Sequence, residues 1–173
     1  MNKAQIAGMW DHLRQINGIT VRTVAAIPKD KLDSRPVRDM RSPKELVVHL
    51  YTMLRYIAEG AKQGEIVSYD EKEQAAVARI QTSEDLLRYA GECWNAGDAA
   101  VRQFSDADCA AVVKTPWGMT FPGFVCVNII YDEHIHHRGQ LYAYLRTMGI
   151  EPPFLWDFEK NAPEFQMKLP AGA

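Results

Sequence analysis

The stretch DEHIHHRGQ, residues 132–140, contains three of the five histidines of the chain and two carboxylates. If the stretch is helical, each residue turns the chain by about 100°. Glu133 then lies about 40° to one side of His137 and His134 about 60° to the other. The neighbouring apolar residues that lie within about 40° of His137 are Cys126, Ile130, Leu141, Tyr144 and Met148. The pattern predicts a long helix with His137 and Glu133 in the middle of its buried face.

Two interpretations of this buried acid and imidazole are open. Without partners they would cost several kcal/mol of stability, and a shared divalent metal ion would satisfy both. The alternative is that they hydrogen-bond to each other or to neighbouring helices, as most buried polar groups do.

Length and composition favour one globular domain over residues 1–173. The chain is 47% hydrophobic and 24% charged, which suits a domain with a substantial core. No apolar run approaches the roughly 18 residues of a membrane span, and the first residues form no signal sequence. We therefore expect a cytoplasmic protein that binds no membrane. A formal charge of -2 gives no basic surface for phosphates, so we expect no nucleic-acid partner.

The three cysteines are widely spaced and odd in number, which argues against a disulfide framework. Free thiols are small and apolar enough to be buried in a core. We expect Cys93, Cys109 and Cys126 to be free and buried.

Apolar periodicity predicts an all-α, four-helix bundle with a short extended connection before the last long helix. The predicted first, third and fourth helices cover about residues 3–27, 84–104 and 122–148. Residues 106–122 are expected to be extended or hairpin-like, because proline, glycine and threonine interrupt the helical pattern there. Asn17-Gly18 is a possible kink in the first helix, and close helix packing is a possible reason for Gly139.

The second helix has the clearest start. Ser42 is a good N-cap, Pro43 suits the first helical position, and Glu45 completes a capping box. His49 then falls on the inward face of this helix. It is the candidate third metal ligand, since His137 and Glu133 need one from another helix, although a single histidine in such a position is commonly a core residue.

The second-helix histidine and the run His137-Arg138-Gly139-Gln140 on the fourth helix together resemble the DinB/YfiT-like superfamily of metal-binding four-helix proteins. The resemblance covers about residues 4–153. It implies one divalent metal held by three histidines, which fall by position on His49, Glu133 and His137. Glu133 departs from the family pattern, and His134 is the nearest histidine, so both remain candidates for the third ligand; the helical wheel favours Glu133.

The resemblance also implies what such a site does. Two imidazoles and a carboxylate suit Zn, Ni, Fe or Mn. The expected function is a metal-dependent enzyme, a thiol-dependent S-transferase or a hydrolase, acting on a small-molecule substrate with a low-molecular-weight thiol. A homodimer and a link to stress response are expected on the same basis. The alternative is a non-catalytic stress-related or interaction protein with a structural metal or none. Arg138 and Gln140 are candidate supporting or substrate-binding groups. The alternative role for Arg138 is structural, in an ion pair with an acidic residue of a neighbouring helix.

Overall fold

The computed structural model describes residues 1–167, which are predominantly helical with one small antiparallel sheet. The long helices are α1 (Lys3–Ala25), α2 (Pro43–Gln63), α4 (Ser83–Arg102) and α6 (Gly123–Thr147). The shorter elements are α3 (Asp70–Arg79), α5 (Asp106–Ala110), β1 (Val112–Lys114) and β2 (Thr120–Pro122). Single turns of 3₁₀ helix occur at Lys29–Lys31, Phe158–Lys160 and Pro163–Phe165.

Side-chain caps set the starts of the long helices. At α2, the Ser42 side chain accepts from the Glu45 amide and Glu45 accepts from the Ser42 amide, which confirms the predicted capping box. Thr82 and Asp85 form the same arrangement at α4. Each box satisfies two amides that would otherwise lack intrahelical partners.

Helix α2 lies at the centre of the packing. It packs against both α4 and α6, and α1 packs against the same two helices. Its largest fully buried side chains include Leu50, Tyr51 and Leu54. On the other side of the core, Trp10 of α1 stacks on Trp94 of α4 with ring centroids 5.5 Å apart. Each such large apolar side chain contributes roughly 1.5–3 kcal/mol on burial.

The connection after α4 was only partly predicted. The expected hairpin is present, with Val113 of β1 paired to Phe121 of β2. The prediction that no helix precedes it was wrong, because α5 forms from residue 106. Ser105 and Asp108 make a capping box that starts this short helix.

Of the two glycine predictions, the one for Gly139 was wrong, and Gly18 has a packing role that the sequence did not indicate. Helix α1 runs without a break through Asn17-Gly18. A Cβ at Gly18 would lie 2.5 Å from Asn161 Cγ, so this glycine makes room for the C-terminal segment. Gly139 is not at a close packing contact, since a Cβ there would meet no atom within 4 Å.

The C-terminal segment returns to α1. Asn161 Nδ2 donates to the Gln15 carbonyl at 2.8 Å, and Phe165 is buried against the core. Phe154 and Trp156 remain exposed. The last residues, 169–173, which we expect from the sequence to be loose, lie outside the described residues.

Two further sequence predictions concern the whole fold. Cys93, Cys109 and Cys126 are free and buried, as predicted. Across residues 1–167, no helix has both the length and the apolarity that a membrane span requires.

Candidate functional site

The three candidate ligands come together between α2 and α6. The rings of His49 and His137 lie edge to face, with centroids 5.0 Å apart and planes at 84°. Glu133, one turn before His137 on α6, brings its Oε2 to 3.1 Å from His137 Nε2. Residues far apart in sequence therefore meet at one place, as the helical pattern predicted.

His49 is oriented by a carboxylate that sequence reasoning missed. Its Nδ1–H donates to Glu73 Oε2 at 2.8 Å, and both side chains are mostly buried. Glu73 lies in the first turn of α3, a short helix that packs against α2. Arg41 lies 3.9 Å from the other carboxylate oxygen of Glu73. The first turn of α3 also contains Asp70 and Glu71, so no sequence pattern distinguishes Glu73 from its neighbours.

His137 is oriented from its own helix. Its Nδ1–H donates to Gln140 Oε1 at 2.8 Å, so Gln140 fixes the orientation of the ring. The Nε2 atom is buried and makes no aligned hydrogen bond, although Glu133 Oε2 is near. Burial lowers the pKa of His137, so the imidazole is neutral at physiological pH.

The two histidines share one arrangement. Each uses Nδ1–H as a donor to a fixed oxygen, so Nε2 is the ring nitrogen left for a metal when the imidazole is neutral. Histidines that bind metals are commonly held this way by a carboxylate or another acceptor. The donor atoms do not converge on a single point, however. Over residues 1–167, no three side chains of His, Cys, Asp or Glu already stand as a group able to hold a metal ion.

His134 is buried more deeply than the helical wheel indicated. It is 0% exposed, whereas the Glu133 side chain is 44% exposed. The prediction that Glu133 lies in the middle of the buried face was therefore wrong. The reason is that α6 packs against α1 as well as α2, so its buried surface is wider than one stripe.

His134 makes its contacts with Thr20 of α1 and with Tyr51 of α2. Thr20 Oγ1 donates to the Ile16 carbonyl, so it accepts from His134 Nε2–H at 3.0 Å. The ring also meets Tyr51 edge to face, and its Nδ1 has no partner in the described part of the chain. Burial lowers the pKa of His134 to about 3. His134 is thus a neutral core residue between α6 and α1.

Within residues 1–167, Arg138 packs on an aromatic ring and does not make the ion pair that was one of its alternatives. The residue is buried, and its guanidinium lies 5.9 Å from the ring centre of Tyr142. Its Nη1 has no hydrogen-bond partner within residues 1–167. This arrangement gives Arg138 a packing contact with an aromatic ring.

A pocket of about 340 Å³ opens beside the candidate ligands. His49 and Glu133 line it together with Tyr69. Burial raises the pKa of Tyr69 to about 12, so its phenol stays protonated. The remaining wall is apolar and consists of Met53, Ile57, Trp117, Met119, Phe121 and Ile129. Trp117, in the turn between β1 and β2, is therefore a pocket residue.

Comparisons with known proteins agree with this architecture. The Bacillus subtilis protein YjoA is 25% identical over 146 residues, which cover 83% of this chain and 91% of YjoA. The crystal structure of YjoA, a DinB-like protein, superposes with a TM-score of 0.68 at 26% identity, covering 87% of this chain and 96% of that one.

A DinB-family structure from Exiguobacterium sibiricum has the same fold. Its TM-score is 0.57 at 22% identity, with 85% of this chain and 89% of that chain covered. The family model described as the DinB family matches residues 1–164. The chain therefore belongs to the DinB family.

Proposed function

We propose that this protein is a divalent-metal-dependent enzyme built on a four-helix bundle, with His49, Glu133 and His137 as its metal ligands. The observation that carries the proposal is the matched arrangement of the two histidines. Both give Nδ1–H to a fixed oxygen, which leaves Nε2 as the nitrogen that would bind the metal, on rings whose centres are 5.0 Å apart.

The donor set fits a divalent metal. Metal binding requires neutral imidazoles, and the lowered pKa of His137 supplies one. Glu133 adds a negative charge on a half-exposed side chain that is free to change rotamer. Two imidazoles and one carboxylate suit Zn, Ni, Fe or Mn. When bound with an open position, such a metal lowers the pKa of a coordinated thiol or water and polarises an electrophile.

The surrounding residues have separate roles in this proposal. Glu73 and Gln140 hold the two rings in the required tautomer and orientation. Tyr69 keeps its proton and can donate a hydrogen bond to a substrate in the pocket. The apolar wall gives a ligand in the same space few polar partners other than these side chains.

The pocket favours a catalytic role over a purely structural one. Structural zinc sites are closed by four protein ligands, whereas catalytic sites leave one position for substrate or water. Here two of the three candidate ligands line a pocket large enough for a small molecule. We extend the proposal to thiol-dependent S-transfer or hydrolysis, with a low-molecular-weight thiol as the co-substrate of the transfer.

A second candidate, a non-catalytic protein without metal, is favoured by a specific observation. Glu133 already approaches His137, and Glu73 already accepts from His49, so each histidine has an acid beside it without any ion. In this alternative, the polar groups join α2, α3 and α6 by direct contacts.

Activity assays on the reconstituted protein separate the two candidates. Protein loaded in turn with Zn, Ni, Fe or Mn is mixed with glutathione and 1-chloro-2,4-dinitrobenzene for transfer, or with 4-nitrophenyl acetate for hydrolysis. The proposal expects turnover in at least one case that is lost in His137→Ala and kept in His136→Ala, an exposed histidine beside it. Turnover that His137→Ala leaves intact, or that needs no metal, would contradict the proposal.

A further inference from the structure

The pocket beside His49 combines a mostly apolar wall with one acidic side chain. Six of its lining side chains are apolar, and they come from α2, α6 and the β1–β2 hairpin. Glu133 is the one acidic residue, and no lysine or arginine lines the pocket within residues 1–167. A ligand here would meet apolar surface on most sides and a single negative charge.

The hairpin presents two of these side chains to solvent. Trp117 is 44% exposed and Met119 is 54% exposed, although both are large and apolar. The turn that carries them is well defined, because the amide and the hydroxyl of Thr115 both donate to the Met119 carbonyl, at 3.1 and 2.7 Å. Gly118 adopts a positive φ of 76° in this turn. Tryptophan and methionine held beside a cavity are typical of a surface that contacts an apolar ligand.

Charge restricts the class of ligand further. An anion would be repelled by Glu133 and would find no cationic side chain in the wall to pair with. A sugar or another densely hydroxylated ligand would lose its hydrogen bonds to water against six apolar side chains. A neutral aromatic molecule loses little on entering, and it can stack on Trp117 and contact the sulfur of Met119. The volume of about 340 Å³ lies at the lower end of ordinary small-molecule sites.

We infer that this pocket binds a neutral, aromatic small molecule, with Trp117 as the main contact and with Glu133, in the metal-free protein, as the group that rejects anions. In the proposed enzyme, this molecule is the acceptor substrate, and that assignment rests on the proposed function. Binding itself does not, because the apolar wall is in place without a metal.

A matched pair of fluorescent probes tests the inference on full-length protein kept in a chelator. N-phenyl-1-naphthylamine is neutral, and 8-anilinonaphthalene-1-sulfonate has the same aromatic skeleton with one negative charge. We expect the neutral probe to bind about tenfold more tightly than the sulfonate. Trp117→Ala should weaken the neutral probe by about tenfold, as loss of a central aromatic contact does. Trp156→Ala is the matched control, since this tryptophan is 65% exposed and does not line the pocket, and it should change nothing.

Glu133→Gln tests the role of the charge. It should improve binding of the sulfonate severalfold and leave the neutral probe unchanged. Equal affinity for the two probes in the wild-type protein, or a neutral probe that is insensitive to Trp117→Ala, would overturn the inference. Metal content is measured on separate samples of the same preparations, freed of chelator and reconstituted, and it keeps the outcomes apart: metal bound without probe selectivity removes only this inference, and probe selectivity without metal binding removes only the proposed function.

Discussion

Glu73→Gln removes the negative charge beside His49 Nδ1 and keeps a side chain of nearly the same size and shape. The glutamine oxygen can still accept the His49 Nδ1–H bond that Glu73 accepts at 2.8 Å. The tautomer of His49 is therefore preserved. What is lost is the negative charge that strengthens the imidazole as a metal ligand.

The size of the effect follows from the hydrogen bond. A bond to a charged acceptor contributes about 1.5–3 kcal/mol, compared with about 0.5–1.5 kcal/mol for a neutral one. The side chains of His49 and Glu73 are 19% and 17% exposed, so water screens the charge only in part. The midpoints differ by about 1.3 kcal/mol. Acting wholly on the metal-bound state, this difference makes the metal affinity about tenfold weaker in Glu73→Gln, at the lower end of the roughly 10–100-fold effect of such outer partners. Glu73→Ala, which removes the acceptor altogether, should approach about 100-fold.

Competition for zinc against a colorimetric chelator measures this affinity directly. Glu71→Gln is the matched control, because Glu71 is an exposed acid in the same first turn of α3. It removes the same charge from the same helix and should leave the affinity unchanged. If Glu73→Gln bound zinc as tightly as the wild type, or if Glu71→Gln weakened it equally, the supporting role of Glu73 would be refuted.

Three further predictions concern stability and are measured by chemical denaturation. Gly18→Ala should destabilise by about 1–3 kcal/mol, because its Cβ would overlap Asn161, and an unchanged midpoint would contradict the packing described for the C-terminal segment. Gly139→Ala should stabilise by about 0.5–1 kcal/mol, since alanine is the better helix former and its Cβ would meet no atom of the described residues within 4 Å. A loss of stability would instead indicate that another helix packs closely on Gly139. His134→Gln should flatten the acid dependence of stability. The pKa of His134 is about 3 in the folded state and ordinarily about 6.5 when unfolded, so the unfolded state binds the extra proton and the wild type loses stability as pH falls from 6.5 towards 3. At pH 5, this loss is about 2 kcal/mol, and equal slopes for the two proteins would show that His134 does not contribute it.

The helix pattern was predictable from sequence because its signals are local. The capping box at Ser42, the one at Thr82 and the apolar period of α6 each involve residues within a few positions of one another. Such local patterns can be recognised in the sequence without knowledge of the tertiary contacts. Helix α5 was missed because a five-residue helix has no apolar period to detect, although its Ser105–Asp108 capping box was present.

The sequence predicted only those features of the candidate site that are set within a single helix. The spacing of Glu133 and His137, and the inward face of His49, placed the three candidates together. Glu73 was missed because its selection depends on how α3 packs against α2, which no local pattern encodes. The depth of His134 was missed for a related reason: a helical wheel marks one buried face, and α6 has neighbours on two sides.

The role of Asn17-Gly18 shows the same limit over a longer distance. Locally, this pair suggests a break in a helix. In the structure, Asn17 accepts from the Tyr51 hydroxyl at 2.7 Å, and Gly18 faces Asn161, in the C-terminal segment of the chain. The residue types at Asn17-Gly18 are therefore explained by tertiary contacts with Tyr51 and Asn161, which the local sequence does not reveal.

The most direct test of the central claim is the metal content of the purified protein by elemental mass spectrometry. It is measured before and after reconstitution, in the wild type and in the alanine variants of His49, Glu133 and His137. Glu133→Gln and His134→Gln are compared alongside, since both were candidates for the third ligand. The account predicts near-stoichiometric metal in the wild type and in His134→Gln, and its loss in the three alanine variants. A reconstituted wild type without metal, or metal retained in His137→Ala, would contradict it.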